Sequence, residues 1–279
     1  MARLKPDPPR GIVGRPGVEP RVRHRRYLVD PPLDAQLEHW WTVAWDLPPG
    51  ERLDGSTLSH PCFHVVVEAG RARVAGVPRA RFRRALEGTG RVFGAKFRPG
   101  AFRVLLDGPA SAFTDRVVPF SEVVGKARAR AYERAIEAAP DDDARVVVAT
   151  RFFRALLPPP PPDARLLQEL VEAAASDRHL TTVEALRARS GLHLRELQRW
   201  FKDAVGVGPK WVIQRYRLHE ALAALEAGRG TVATLAADLG YADQAHFTRD
   251  FKRVVGMPPS HYARTAGAPA SGRRAPRRR

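Results

Sequence analysis

At 279 residues the chain exceeds what one small core requires and suits two domains with flexible ends. Its 47 basic and 30 acidic side chains leave a net charge of +17, which favours a polyanionic partner, nucleic acid first. Cys62 is the only cysteine, so no intramolecular disulfide can form and a reducing cytoplasm is expected. No apolar run reaches the roughly 20 residues of a membrane span, and the basic start lacks an apolar signal core.

Residues 1–26 are rich in Pro and Arg without hydrophobic periodicity and are expected to be disordered. From Tyr27 to about Phe120, short apolar runs alternate with glycine and proline. Trp40 to Trp45, Phe63 to Val67, Arg91 to Phe97 and Phe102 to Leu106 are the main runs, and they predict a β-rich domain with close turns. Ser121 to Ala138 and Asp141 to Leu157 then read as two helices. Acids open the second, and Val147, Phe152 and Leu156 are there to bury. The prolines from Pro158 to Pro162 cannot continue a helix and predict a stiff spacer, the best domain boundary in the chain.

Residues 163–264 read as helix throughout. Leu166, Leu167, Leu170, Val171 and Ala174 give a first amphipathic helix, and Thr181 with Glu184 has capping-box spacing for a second. A repeat follows. LQRWFKDAVGVGP from Leu197 aligns with FTRDFKRVVGMPP from Phe247, and Val183, Leu186, Ala188 and Gly191 pair with Val232, Leu235, Ala237 and Gly240. Each copy is a short helix, a glycine turn and a second helix, the helix-turn-helix pattern.

The second helix of each copy is two-faced. Leu194, Leu197 and Phe201 should face inward in the first, and Phe247, Phe251, Val254 and Val255 in the second. Arg195, Gln198, Arg199 and Lys202 form one polar face; Gln244, Thr248, Arg249 and Lys252, with His246, form the other. Arg and Gln can pair bidentately with guanine and adenine edges, whereas Lys suits phosphate. A polar stripe on one helix is usually just solvated; two copies in one supersecondary setting weigh against that. Between them Pro209 to Ala227 predicts one helix of roughly 28 Å, near the roughly 34 Å between successive major-groove faces of a duplex.

Over about residues 165–264 the chain resembles the AraC/XylS family of bacterial transcription regulators. The resemblance rests on the repeat, on Arg217-Leu218 to Ala221-Leu222, and on DLGYADQAHFTRDFKRVVGMPPSHY from Asp238. It implies a pair of reading helices entering adjacent major grooves of double-stranded DNA, a preceding domain that senses a small-molecule effector or forms a homodimer, and contact with RNA polymerase during activation. His193 stands where the family usually has a capping Ser, so the first reading helix is expected to fray at its start.

The fold class expected is therefore α+β and multidomain: a β-rich, sensor-like N-terminal domain at 27–157 with two helices, then an all-α double helix-turn-helix domain at 163–264. The basic tail 265–279 reads as a disordered electrostatic accessory. A cytoplasmic, nucleoid-associated regulator follows.

Two sharper readings belong to the N-terminal domain. In a strand, His60, Cys62 and His64 would share one face and make a weak candidate metal site, although Pro61 disfavours a central strand. Trp40, Trp41 and Trp45 either line an effector pocket or fill core. No catalytic triad, paired carboxylates in a loop, or cofactor fingerprint is present, so no enzyme and no cofactor are expected. The rivals are a nonspecific nucleic-acid organiser acting through charge, and a metal-dependent sensor or enzyme.

Overall fold

The computed structural model describes residues 2–6, 12–13 and 21–267. Nine strands come first: β1 (Ile12–Val13), β2 (Val22–Tyr27), β3 (Leu37–Asp46), β4 (Arg52–Thr57), β5 (His64–Glu68), β6 (Arg71–Ala75), β7 (Phe82–Glu87), β8 (Thr89–Phe97) and β9 (Val117–Pro119). They pair antiparallel in a six-stranded sheet, β2-β3-β8-β5-β6-β9, and a three-stranded sheet, β1-β4-β7.

Strand alternation sends β3 side chains to two different environments. Trp40 and Thr42 face two helices, α2 (Lys126–Ala138) and α3 (Asp142–Leu156), which follow a single turn, α1 (Ser121–Val124). Trp40 packs 5.8 Å from Phe153, and Asp142 accepts from Tyr27 Oη at 2.8 Å and Thr42 Oγ1 at 3.1 Å. Asp141 caps α3 by accepting from the Ala144 amide. Trp41, Val43 and Trp45 point the other way, into a cavity between the two sheets.

Several expectations need correction. β2 starts at Val22, and Leu4 bridges to Tyr27, inside the stretch expected to be disordered. Pairing along β3 supplies the order that the sequence of β2 does not advertise. Phe102 to Leu106 is not a strand: Gly100, at φ +78°, turns the chain into a 3-10 helix over Ala101–Leu105. Gly125, at φ +83°, splits the first expected helix. Val147 is 67% exposed rather than buried.

Seven helices follow among the described residues: α4 (Ala164–Ser176), α5 (Val183–Ser190), α6 (Leu194–Ala204), α7 (Pro209–Glu226), α8 (Val232–Asp238), α9 (Gln244–Val255) and α10 (Pro259–Gly267). The cap of α5 is Thr182, one residue later than its spacing suggested; its hydroxyl accepts from the Ala185 amide at 3.1 Å. Helix α10 continues past residue 264, into the expected tail; residues 268–279 of that tail lie outside the described residues.

The polyproline spacer does not hold two bodies apart. Leu167, Leu170, Leu197, Phe201, Val212 and Ile213 share one buried cluster with Trp40, Phe97 and Phe102 of the strand domain. Leu218, Leu222, Phe247, Phe251, Val255 and Tyr262 form a second, separate cluster. The first helix-turn-helix unit is thus built onto the N-terminal domain, and the second has its own core.

Candidate nucleic-acid interface

Helices α5 and α6 form the first unit, and α8 and α9 the second. Glycines in left-handed conformation end the first helix of each pair, Gly191 at φ +69° and Gly240 at φ +74°. Gly206 and Gly256 follow the second helices at +97° and +87°. A side chain is strained at such φ values, so the matched glycines mark matched turns.

In α6, Leu197 and Phe201 are fully buried, which turns Arg195, Gln198, Arg199 and Lys202 outward. Those four line one shallow cleft of about 430 Å³ with Pro109, Ser111 and Asp203. Leu194 was expected inside but is 38% exposed, because it opens the helix. The expected fraying is countered locally: Glu196 Oε2 accepts from the His193 amide at 3.0 Å, and its charge sits in the first turn, where the helix dipole favours an anion.

In α9, Phe247 and Phe251 are fully buried and Asp243 caps the helix through the His246 amide at 2.7 Å. Gln244, Arg249 and Lys252 are exposed, and Thr248 is half-buried. His246 is held edge-on to Tyr241, with Asp250 3.8 Å from its Nε2. Among the described residues, no ion pair engages Arg195, Arg199 or Arg249, whereas Arg253 is tied to Asp250 at 3.1 Å. These three guanidinium groups thus remain available to an external acceptor.

The cavity between the sheets, about 1910 Å³, is lined by Trp41, Val43, Trp45, His64, Val66 and Lys96, and reaches Tyr216 of α7. Trp40 fills core; Trp41 and Trp45 line the cavity. A Cβ at Gly94 would run into the Trp41 indole on the neighbouring strand. Lys96 reaches Glu38 at 2.8 Å. Burial opposes ionisation of Glu38, but hydrogen bonds from His39 and Lys96 hold its carboxyl well below the usual range.

The His60, Cys62 and His64 reading fails on geometry. β5 begins only at His64, and the Cys62 amide turns back onto His60 O at 2.9 Å, so the three side chains do not alternate along one strand. The His60 ring stacks on His219 of α7 at 4.3 Å. His64 Nδ1 accepts from Trp41 Nε1 at 3.2 Å, which places its proton on Nε2, facing Cys62 Sγ at 3.5 Å. Burial raises the Cys62 pKa to about 12.

Burial, with the Lys96 charge second, lowers the His64 pKa to about 3. The unfolded chain binds this proton near pH 6.5 and the folded chain only near pH 3, so stability falls as pH drops between those values. The expected slope from this group is up to about 1.4 kcal/mol per pH unit. Urea midpoints from pH 7 to pH 4 check it; a His64→Asn variant should lose that part of the slope.

Two helix-turn-helix units on one chain each present exposed Arg, Gln and Lys beside a buried apolar pair, Leu197 and Phe201 in α6 and Phe247 and Phe251 in α9, the form of a DNA-binding domain. Comparison with known proteins shows what it resembles. Residues 186–265 match a helix-turn-helix domain model, and residues 25–119 match a family described as a domain of unknown function, DUF6597. An AraC-like transcription regulator of Streptomyces lividans is 36% identical over 81 residues, 29% of this chain and 27% of that protein. The F1 operon positive regulatory protein of Yersinia pestis is 36% identical over 80 residues, again 29% and 27%. The transcriptional activator RhaS of Escherichia fergusonii is 36% identical over 76 residues, 27% of each chain. The chain therefore matches just over a quarter of the length of these relatives. A solved structure of ToxT from Vibrio cholerae aligns over 89% of this chain and 100% of its own, at 11% identity and a TM-score of 0.41. The C-terminal region is a helix-turn-helix domain, and over that stretch the chain is similar to AraC-like transcription regulators. No helix among the described residues is long and apolar enough to cross a membrane.

Two sets of contributing residues escaped sequence reasoning. Arg217 is buried inside the domain, and Arg81, Arg103 and Thr114 reach it from the strand domain. Nothing in the local sequence of Arg81, Arg103 and Thr114 marks them, and that of Arg217 gave no sign of its burial.

Proposed function

We propose that the chain regulates transcription by reading two adjacent major-groove segments of double-stranded DNA. Helix α6 reads the first through Arg195, Gln198 and Arg199; α9 reads the second through Gln244, Thr248 and Arg249, with His246 beside them. Lys202 and Lys252 hold phosphates. The observation that supports this is the duplication itself: two matched helices, one burying Leu197 and Phe201 and the other Phe247 and Phe251, with Arg195, Arg199 and Arg249 exposed.

The cavity beneath Trp41 and Trp45 is the place proposed for a small-molecule effector. RNA polymerase and a second copy of the chain are the further partners proposed, in a cytoplasmic, nucleoid-associated activator. Activation is the role that the RhaS and F1 operon relatives carry in their names.

Arg199→Ala or Arg249→Ala should each lower affinity for a selected operator by about 1–3 kcal/mol and relax discrimination at particular bases. Lys202→Ala or Lys252→Ala should instead weaken all sequences about equally and reduce the salt slope by about one ion. Duplex selection followed by titration against single-base operator variants measures both. A uniform loss in the arginine variants would assign them to the backbone instead.

A further inference from the structure

The repeat suggests two modules joined only through α7. The N-terminal domain, however, is fastened to both. At the first unit Arg103 Nε donates to Asp203 Oδ2 at 3.0 Å, and Thr114 Oγ1 donates to Gly206 O at 2.6 Å. A Cβ on Gly206 would stand 3.1 Å from Ala110 O, so the strand domain sits hard against this turn. At the second unit Arg81 Nη1 donates to Val255 O, the last carbonyl of α9, and a Cβ on Gly256 would lie 2.6 Å from the same guanidinium. Leu58, from the loop after β4, is fully buried within the second unit's core. Arg215 of α7 donates to Arg79 O at 2.6 Å, beside the Arg81 tether.

The side-chain tethers to α6 and α9 share one feature. Arg103, Thr114 and Arg81 hold the C-terminal ends of α6 and α9 while Arg195, Gln198, Arg199, Gln244 and Arg249 stay exposed, and a recognition helix meets base edges through its N-terminal residues. A cation donating to an orphan carbonyl at a helix C-terminus is also favoured by the helix dipole. Two modules linked by one helix share only that helix's stiffness, and long helices curve. Pinning both modules to a common body adds a second connection and closes a triangle.

We propose that Arg81, with Arg103 and Thr114, is a positioning residue: the N-terminal domain braces α6 and α9 against each other and thereby sets which spacing between the two DNA segments is accepted. The proposal rests on the reading of α6 and α9 as the DNA-reading helices. An occupant of the cavity would act through the same brace, because Arg79, Arg81 and Arg116 border both the cavity and these fastenings.

The test uses the full chain and a duplex obtained by unbiased selection. Affinity is compared for that duplex, for versions with one or two base pairs inserted between the segments, and for a duplex keeping only the first segment. Arg81→Ala should lose roughly tenfold on the selected duplex, a typical size for coupling between sites. It should shrink the penalty for insertion and leave the single-segment affinity unchanged. Arg81→Lys keeps a donor for Val255 O and should recover most of the loss. Arg103→Gln combined with Thr114→Val releases the other end and should act in the same direction. An insertion penalty identical in wild type and both sets of variants would overturn the brace, as would an equal loss on the single segment. A wild-type chain with no sequence preference would defeat the reading of the helices and the brace with it.

Discussion

Replacing Arg217 with alanine should destabilise the chain by about 3 kcal/mol or more, the range for removing one member of a buried, hydrogen-bonded ionic cluster. Arg217 lies in the middle of α7 and is only 3% exposed. Its Nη2 donates to Ala174 O at 2.9 Å and Asp177 O at 3.0 Å, and its Nη1 to Glu220 at 2.7 Å. The two carbonyls belong to the last turn of α4 and the residue after it, where helical partners run out. One side chain thus satisfies the end of α4 and docks it on the connector between the reading units. Glu220 keeps a second partner in Arg178 at 2.6 Å, so the loss falls mainly on the carbonyls and on packing. Arg217→Lys should recover part of it, since an ammonium cannot span all three acceptors in a planar fork. Chemical denaturation monitored by tryptophan fluorescence checks both values. A loss below about 1 kcal/mol for the alanine variant would mean that solvent reaches the freed carbonyls, in the manner of an exposed pair.

Arg217 also marks where sequence reasoning stops. It was legible as part of a family-like stretch but not as a buried residue, because arginine on an amphipathic helix ordinarily faces water. The repeat was legible because its glycines recur where the backbone needs positive φ, at Gly191 and Gly240 and again at Gly206 and Gly256. Phe247, Phe251 and Val255 were legible as core because helical periodicity brings them onto one stripe. Strand periodicity placed β3, β5 and β8 but mistook Phe102 to Leu106, where apolar content gave no sign of the turn that Gly100 makes. The brace was beyond reach for a different reason. Arg81 and Val255 are 174 residues apart, and Thr114 and Gly206 are 92 apart; single contacts at such separations leave no periodic trace. The cavity is hidden in the same way, being an agreement between two sheets, α4 and α7 rather than a motif.

Phe251→Ala should cost about 3–5 kcal/mol, the usual toll of emptying a phenylalanine site in a packed core, and its consequence should be confined to one unit. Phe251 is fully buried, with Phe247 at 5.6 Å and Tyr262 at 5.9 Å between ring centres. Its cluster is drawn from α7, α8, the turn after α8, α9 and α10, with Leu58 the only member from the strand domain among the described residues. Phe201, its counterpart in the repeat, lies instead in the large cluster shared with that domain. A core serving about fifty residues supplies no more than about 3–5 kcal/mol of stability. The substitution therefore removes most of what holds the second unit, and local unfolding should precede global unfolding. Helix α9 should lose its amide protection in hydrogen exchange while the strands keep theirs, and the variant should bind DNA as a single-segment reader through α6. The equivalent Phe201→Ala change should lower protection across both the first unit and the strand domain, because no separate core exists there to fail alone. One cooperative transition, with protection falling equally in the strands and in α9 after Phe251→Ala, would show that Leu58 and Arg81 couple the two cores tightly enough to make them one.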